Sequence, residues 1–229
     1  METLHNGYTL HTPSGTFPLS TDSMLLADFV RLPKNAAVLD LGSGCGTLGT
    51  LLCAADGSCR VTGVEIDETA HTAAVENTLR NGLHDRMNSI FGDLRQLSSY
   101  IEAATFSCCV SNPPYFSAGA LSASTPIARH TECCGTEDLF AAAAHALKYG
   151  GDFFLVHKPD YLAQLCACAV QHRLEPKRLC LVRHSADKPI STLLLQCRKG
   201  GKPGLKLEEL CLFEENGDPS PAYRRIYHL

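Results

Sequence analysis

Residues 36–46 read AAVLDLGSGCG, a six-residue run that is apolar apart from Asp40 and breaks directly into glycines at positions 42, 44 and 46. A run this short fits a strand buried on both sides better than a helix face. Glycines at alternate positions let the backbone turn tightly and approach a ligand without Cβ clashes. Thr47–Ala55 then reads as a helix, so the stretch is strand, loop, helix: one unit of an α/β sheet.

The same alternation continues outward. Arg60–Ile66 is the next strand, and Asp67–Gly82 reads as a helix whose stop at Asn81-Gly82 carries glycine just past its end. Asn88–Asp93 and Phe106–Val110 are the third and fourth strands. Glu137–Tyr149 is expected as a helix closed by Gly150-Gly151, Asp152–His157 as a fifth strand, and Pro159–Arg173 as a helix with proline in its first turn. Arg178–Arg183 and Thr192–Cys197 follow, joined too closely for a crossover helix and therefore antiparallel. Apolar strands alternating with helices predict a mostly parallel sheet covered on both faces, with ligands held beyond the carboxyl ends of its strands.

Composition narrows the class. The chain has 229 residues, 45% hydrophobic and 19% charged, as in ordinary globular proteins. No apolar run approaches the roughly 20 residues needed to cross a bilayer. The N-terminal METLHNGYTLHTPSG has neither the basic nor the apolar region of a signal peptide, so a cytoplasmic location is expected. Twelve cysteines without any C-x-x-C, and ten histidines without H-x-x-x-H, argue against a metal; the cysteines read as small buried hydrophobes. Charge is uneven: residues 1–170 carry 9 Lys/Arg against 17 Asp/Glu, whereas residues 171–229 carry 11 against 7. A basic C-terminal portion hints at a polyanionic partner.

Acidic residues stand at three expected strand ends: Asp40, Glu65 and Asp93. Glu65 lies 21 residues after Gly44, a spacing at which a carboxylate can accept hydrogen bonds from both hydroxyls of a ribose. Two cofactors suit this set, a nicotinamide dinucleotide and S-adenosylmethionine. A pyrophosphate at the helix N-terminus would be poorly served by Asp40 at the mouth of the loop, whereas a sulfonium and an amino group would be well served.

The fourth strand ends in SNPPYF, residues 111–116. Neither proline can donate to a strand ladder, and a plain turn would use Asn-Gly or Asp-Gly. A rigid, non-turn purpose is indicated. At this point Asp40-Leu-Gly-Ser-Gly-Cys-Gly46, Gly63-Val-Glu-Ile66, Gly92-Asp93 and Asn112-Pro-Pro-Tyr115 resemble, in order and spacing, the class I methyltransferases that act on a planar amino nitrogen. The resemblance implies a doubly wound, Rossmann-like α/β fold with seven strands, mostly parallel, the last antiparallel. Residues 1–35 would pack on the cofactor site and residues 36–229 would form the catalytic domain. S-adenosyl-L-methionine would be held by Asp22, Asp40, Gly42, Gly44, Gly46, Glu65, Asp93, Leu94 and Asn112. Asn112 Oδ1 and the Pro113 carbonyl would accept from the two N–H groups of the amine, with Tyr115 stacked on the group that carries it.

Ser20–Val30, Ala128-Arg-His130 and Arg198-Lys-Gly-Gly-Lys202 extend the resemblance to the bacterial tRNA(Val) adenine-37 N6-methyltransferase family, over about residues 7–227. That implies an RNA partner, a tRNA anticodon loop, with Tyr115, Phe116, Arg129, His130, Lys199 and Lys202 at the substrate. Lys206, Arg224 and Arg225 would add charge for the neighbouring phosphates. No metal or membrane is implied, and the chain would act as a monomer or homodimer. Thr131 stands where the family pattern expects an acidic residue, with Glu132 next to it. Two alternatives stand beside this. A protein glutamine N5-methyltransferase shares the motif, but such enzymes usually carry an extra N-terminal helical domain, and only 35 residues precede the first strand. A non-catalytic RNA-binding protein on the same fold would not need Asp40, Glu65, Asp93 and Asn112 intact.

Overall fold

The computed structural model describes residues 1–4, 6–114 and 135–229. In chain order these form β1 (Glu2–Thr3), β2 (Thr9–Leu10), α1 (Thr21–Phe29), β3 (Ala37–Leu41), α2 (Thr47–Ala55), β4 (Arg60–Glu65), α3 (Glu68–Arg80) and β5 (Met87–Phe91). Then come β6 (Phe106–Ser111), α4 (Thr136–Ala146), β7 (Leu147–His157), α5 (Leu162–Gln171), β8 (Leu174–Arg183), β9 (Ile190–Lys199), β10 (Lys206–Cys211) and α6 (Pro221–Tyr227). Strands β3 to β10 make one sheet in the order β10-β8-β9-β7-β6-β3-β4-β5. Every pairing is parallel except the two made by β9, which runs against both β7 and β8. The chain leaves β3 toward β5, then returns to β6 on its other side, so the topological switch falls between β3 and β6.

Neighbouring residues of one strand serve two cores. Phe153 joins the layer between the sheet and α4 and α5, where it meets Phe140 edge-on at 5.3 Å. Phe154 joins the layer with α1, α2 and α6, where it meets Phe29 at 6.0 Å. Burying such a side chain stabilises the fold by about 1.5–3 kcal/mol, with edge-to-face contact adding specificity. The described cysteines are free thiols, eight of them buried, and burial pushes those of Cys108, Cys109 and Cys197 up. No described helix is long and apolar enough to cross a membrane.

Local signals shaped the elements largely as expected. The Asp67 carboxylate accepts from Ala70 N at 2.7 Å to start α3, and Gly82 at φ 63° follows its end. Three features differ. The described sheet has eight strands rather than seven: β10, with sequence KLEELC, pairs parallel to β8 at the edge. Its charged residues make it look like a solvated segment, yet charges are what edge strands use to resist unwanted pairing. Helix α4 stops at Ala146 rather than Tyr149, and Gly150-Gly151 lie within β7 at a register shift against β6. Those glycines serve the bulge: Gly150 has φ 80°, and a Cβ on Gly151 would sit 3.0 Å from the carbonyl oxygens of Lys148 and Ser107.

The N-terminal segment is tied down by two asparagines, Asn77 of α3 and Asn81 at its C-terminal cap. Asn81 exchanges two 2.8 Å hydrogen bonds with the backbone of Thr9, and Asn77 does the same with His11 at 2.8 and 2.9 Å. Each amide thereby imitates a neighbouring strand. Residues 15–20 follow, and most of them reach the rim of the cavity described next.

Candidate active site

A cavity of about 360 Å³ opens beyond the carboxyl ends of β3, β4 and β6, at the switch point. Its floor is the loop between β3 and α2. Gly42, Gly44 and Gly46 all adopt left-handed φ, at 73°, 54° and 79°. Gly46 has a second constraint, since a Cβ there would fall 2.6 Å from Met87 Cε.

Glu65, at the end of β4, clamps this loop. Its Oε2 accepts from Gly44 N at 2.7 Å and its Oε1 from Asp67 N at 2.8 Å. Each oxygen retains a further lone pair for a ligand hydroxyl. Burial pushes the Glu65 carboxyl above its ordinary range, and the backbone N–H groups oppose that. Asp40 is different. It is 1% exposed, and neither carboxylate oxygen has a hydrogen-bond partner; the Ser43 hydroxyl beside it is in the same position. Burial, then the Glu65 charge, push Asp40 up to about 8, with the Gly49 backbone N–H opposing this only in part. An orphaned buried carboxyl costs roughly 1–3 kcal/mol. A glycine cradle with two acidic groups beneath it fits S-adenosylmethionine, whose sulfonium and ammonium supply the missing positive charge and donors.

Asp93 and Leu94 also border the cavity. Asp93 is already clasped: Arg95 Nη2 lies 2.6 Å from its Oδ2, and Arg95 N donates to its Oδ1 at 2.9 Å. The Arg95 guanidinium holds this carboxyl below the usual range, so it stays ionised. Asp22 lines the cavity from α1 and accepts from Thr192 Oγ1 at 3.3 Å.

Asn112 sits where β6 ends. The Ser111 hydroxyl ties that end to β3 by donating to the Leu41 carbonyl at 2.7 Å. The Asn112 Nδ2 donates to Ser23 Oγ at 3.0 Å, and no described residue donates to its Oδ1. Pro113 and Pro114 continue along the cavity wall.

Of the cofactor set expected from sequence, Asp22, Asp40, Gly42, Gly44, Glu65, Asp93 and Leu94 line one cavity with Asn112 and Pro113; Gly46 does not line it, and its turn packs against Met87 and Ala74 instead. Tyr115, Phe116, Arg129 and His130 lie outside the described residues. Lys199 and Lys202 do not join the site. Both follow the Asp152↔Arg198 pairing, at the end of the sheet opposite His157↔Leu193 and the cavity. The Lys199 ammonium is spent on α4, donating to the carbonyls of Ala144 and Leu147 at 2.6 and 2.7 Å. Antiparallel β9 carries its C-terminal residues to the wrong end. Arg225 is engaged by Asp28 at 2.9 Å.

Sequence reasoning missed Ser23 and His157. Ser23 looks like an ordinary helix residue; only the fold brings it to Asn112. His157 ends β7, is 6% exposed, and faces the cavity with Leu139 and Leu165. Its Nδ1 accepts from Lys158 N at 2.9 Å, and burial lowers its pKa. The signal available was its position as the last residue of a strand ending at the site.

Residues 8–165 match the family described as methyltransferase small domain. A tRNA1(Val) (adenine(37)-N6)-methyltransferase of Dickeya chrysanthemi is 33% identical over 195 residues, 80% of this chain and 74% of that protein. Another of the same name from Photobacterium profundum is 29% identical over 202 residues, 86% and 84% of the two chains. A crystal structure described as a predicted O-methyltransferase from Agrobacterium tumefaciens shares the fold, with a TM-score of 0.76 at 20% identity over 91% of this chain and 96% of that one. With the family match spanning most of the chain and the cofactor loop built as described, the chain belongs to the methyltransferase small domain family and is an S-adenosylmethionine-dependent methyltransferase.

Proposed function

We propose that the chain methylates the exocyclic N6 of an adenine in RNA, with adenine 37 of a tRNA anticodon loop as its target. One observation carries the reading: Asn112 lines the cofactor cavity with its amide nitrogen anchored on Ser23, and no described residue donates to its Oδ1. The two relatives named above support adenine as the base. Both are named for N6-methylation of adenine 37.

The physical argument starts from the nucleophile. The lone pair of an adenine amine is delocalised into the ring, so the nitrogen attacks only as it becomes tetrahedral. S-adenosylmethionine, when bound, supplies an electrophilic methyl group on its sulfonium. Asn112 Oδ1 and the Pro113 carbonyl accept the two N–H groups, draw the nitrogen out of plane and stabilise the positive charge that develops on it. The paired prolines fix φ, so the carbonyl is set before the substrate arrives and less ordering is needed on binding. Tyr115, the next residue in sequence after Pro114, stacks on the base in this reading. Leu139 and Leu165 give the planar ring an apolar wall. A base in a single-stranded loop is extruded at lower cost than one in a duplex.

Incubation with labelled S-adenosylmethionine and unmodified total tRNA, followed by nucleoside mass analysis, tests this. Label is expected in N6-methyladenosine. Label in another nucleoside, or in a protein glutamine instead of RNA, would overturn the reading.

A further inference from the structure

We propose that a second RNA-binding surface lies at the end of the sheet opposite the cavity, built from Tyr149, Lys148, Arg173, Lys177 and Lys202. It takes the sugar–phosphate backbone of a remote part of the RNA together with one of its bases. The inference rests on the reading of the substrate as RNA and adds a site to it.

Tyr149 is 82% exposed, yet it is not loose. Its hydroxyl donates to the Gly200 carbonyl at 3.1 Å, and its ring lies on the Gly200 backbone, where a Cβ would fall 2.1 Å from Tyr149 Cε2. Gly200 also has φ 67°, so both the turn and the ring contact require glycine. One face of the ring is fixed on the backbone and the other faces water. A rigid exposed ring of this kind is a stacking platform for a base, which loses little freedom on binding.

Cations surround it. Gly200 N donates to the Arg173 carbonyl at 2.9 Å, and Lys177 Nζ donates to the Lys202 carbonyl at 2.9 Å, so the turn after β9 gathers these residues around Tyr149. Lys148 precedes the ring in β7. None of the four is in an ion pair among the described residues. The nearby carboxylates are occupied: Asp152 by Arg198 at 2.8 Å, and Glu208 by Arg178 and Lys206 at 3.1 and 3.0 Å. Glu175 of β8, beside Gly201 of the same turn, offsets part of the charge of the four cations. An acidic protein would suit the charge but would have no use for the clamped ring; nucleic acid uses both. Five regular steps of β7, Asp152 to His157, separate the bulge that carries Tyr149 from the cavity end, about 16 Å at about 3.3 Å per residue. The nucleotide at the cavity and the nucleotide at Tyr149 therefore belong to different parts of the RNA.

The test measures binding of full-length unmodified tRNA and of a short anticodon stem-loop by fluorescence anisotropy over a range of KCl. The proteins are the wild type, Tyr149→Ala, and the triple variant Lys148→Gln, Arg173→Gln, Lys202→Gln. Affinity for S-adenosylmethionine serves as the check on folding. Full-length tRNA should bind the triple variant at least tenfold more weakly, with the magnitude of its log–log salt slope reduced by about 2–3. Tyr149→Ala should weaken it roughly tenfold, and the stem-loop should be nearly indifferent to both. An unchanged affinity and slope for full-length tRNA in the triple variant, or an equal loss on the stem-loop, overturns the second surface. If the wild type methylates tRNA while the variants bind normally, only this inference falls. If the wild type neither binds nor methylates RNA, the substrate reading falls with it.

Discussion

Asn112 and Ser23, 89 residues apart, meet at 3.0 Å through the Asn112 amide nitrogen. Ser23 is held in turn, its backbone N–H and its hydroxyl both 3.2 Å from the Ser20 hydroxyl that caps α1. The N-terminal segment thereby orients the amide to which the proposed reaction assigns the acceptor role. An amide whose NH₂ is anchored presents its oxygen without having to be turned by the substrate.

Asn112→Ala should cost about 10²–10³ in kcat, the scale seen when one preorganised polar group at a reacting centre is removed, with cofactor affinity nearly intact. Ser23→Ala leaves the acceptor present but unanchored, so a smaller loss, roughly tenfold, is expected. Single-turnover rates with calorimetric cofactor titrations check both. A Ser23 variant as slow as the Asn112 variant would mean that the serine does more than orient.

Glu65→Gln tests the loop clamp. Gln can accept at one position only, so both the bond from Gly44 N or Asp67 N and the ligand contact suffer. Cofactor affinity should drop roughly tenfold or more, in keeping with about 1.5–3 kcal/mol for hydrogen bonds to a charged group. An unchanged dissociation constant would remove Glu65 from the site.

Asp40 makes stability depend on pH in an unusual direction. Its carboxyl is pushed up from 3.8 to about 8 by burial and by Glu65. The folded state therefore holds this proton more tightly than the unfolded chain, and stability falls as pH rises between about 4 and 8. Below that window the proton is bound in both states. Asp40→Asn should lose this component, so the stability of the wild type relative to the variant declines with pH in urea titrations. Binding of the cationic cofactor favours the ionised carboxyl and should tighten over the same window in the wild type alone. A wild type and variant that run parallel across pH would sink this account.

Lys199→Ala should act on folding rather than on RNA. Its ammonium answers two carbonyls at the end of α4, where helix carbonyls otherwise lack partners. A destabilisation of about 1–2 kcal/mol is expected, read as a shift in the urea midpoint, with tRNA affinity unchanged. A stable variant with weakened RNA binding would return Lys199 to the substrate.

Much of the architecture was legible because its signals are local. The run at 36–41, the glycines after it and the carboxylates at 40, 65 and 93 depend on residues a few positions apart. The Gly150-Gly151 pair shows the limit. Two glycines after a helix signal a stop, and the same two glycines also permit a bulge; the choice depends on the register of β6, which no local window contains.

The sequence alone determined that strands would alternate with helices, that a glycine loop would meet acidic residues at strand ends, and that a proline-stiffened asparagine would follow β6. Periodicity, turn chemistry and motif spacing are properties of the chain itself. The tertiary structure decided which end of the sheet each distant residue would occupy. Strand direction reverses at β9, so Lys199 and Lys202, expected at the substrate, lie at the end of the sheet away from the cavity, while Ser23, unremarked in the sequence, comes within hydrogen-bonding distance of Asn112.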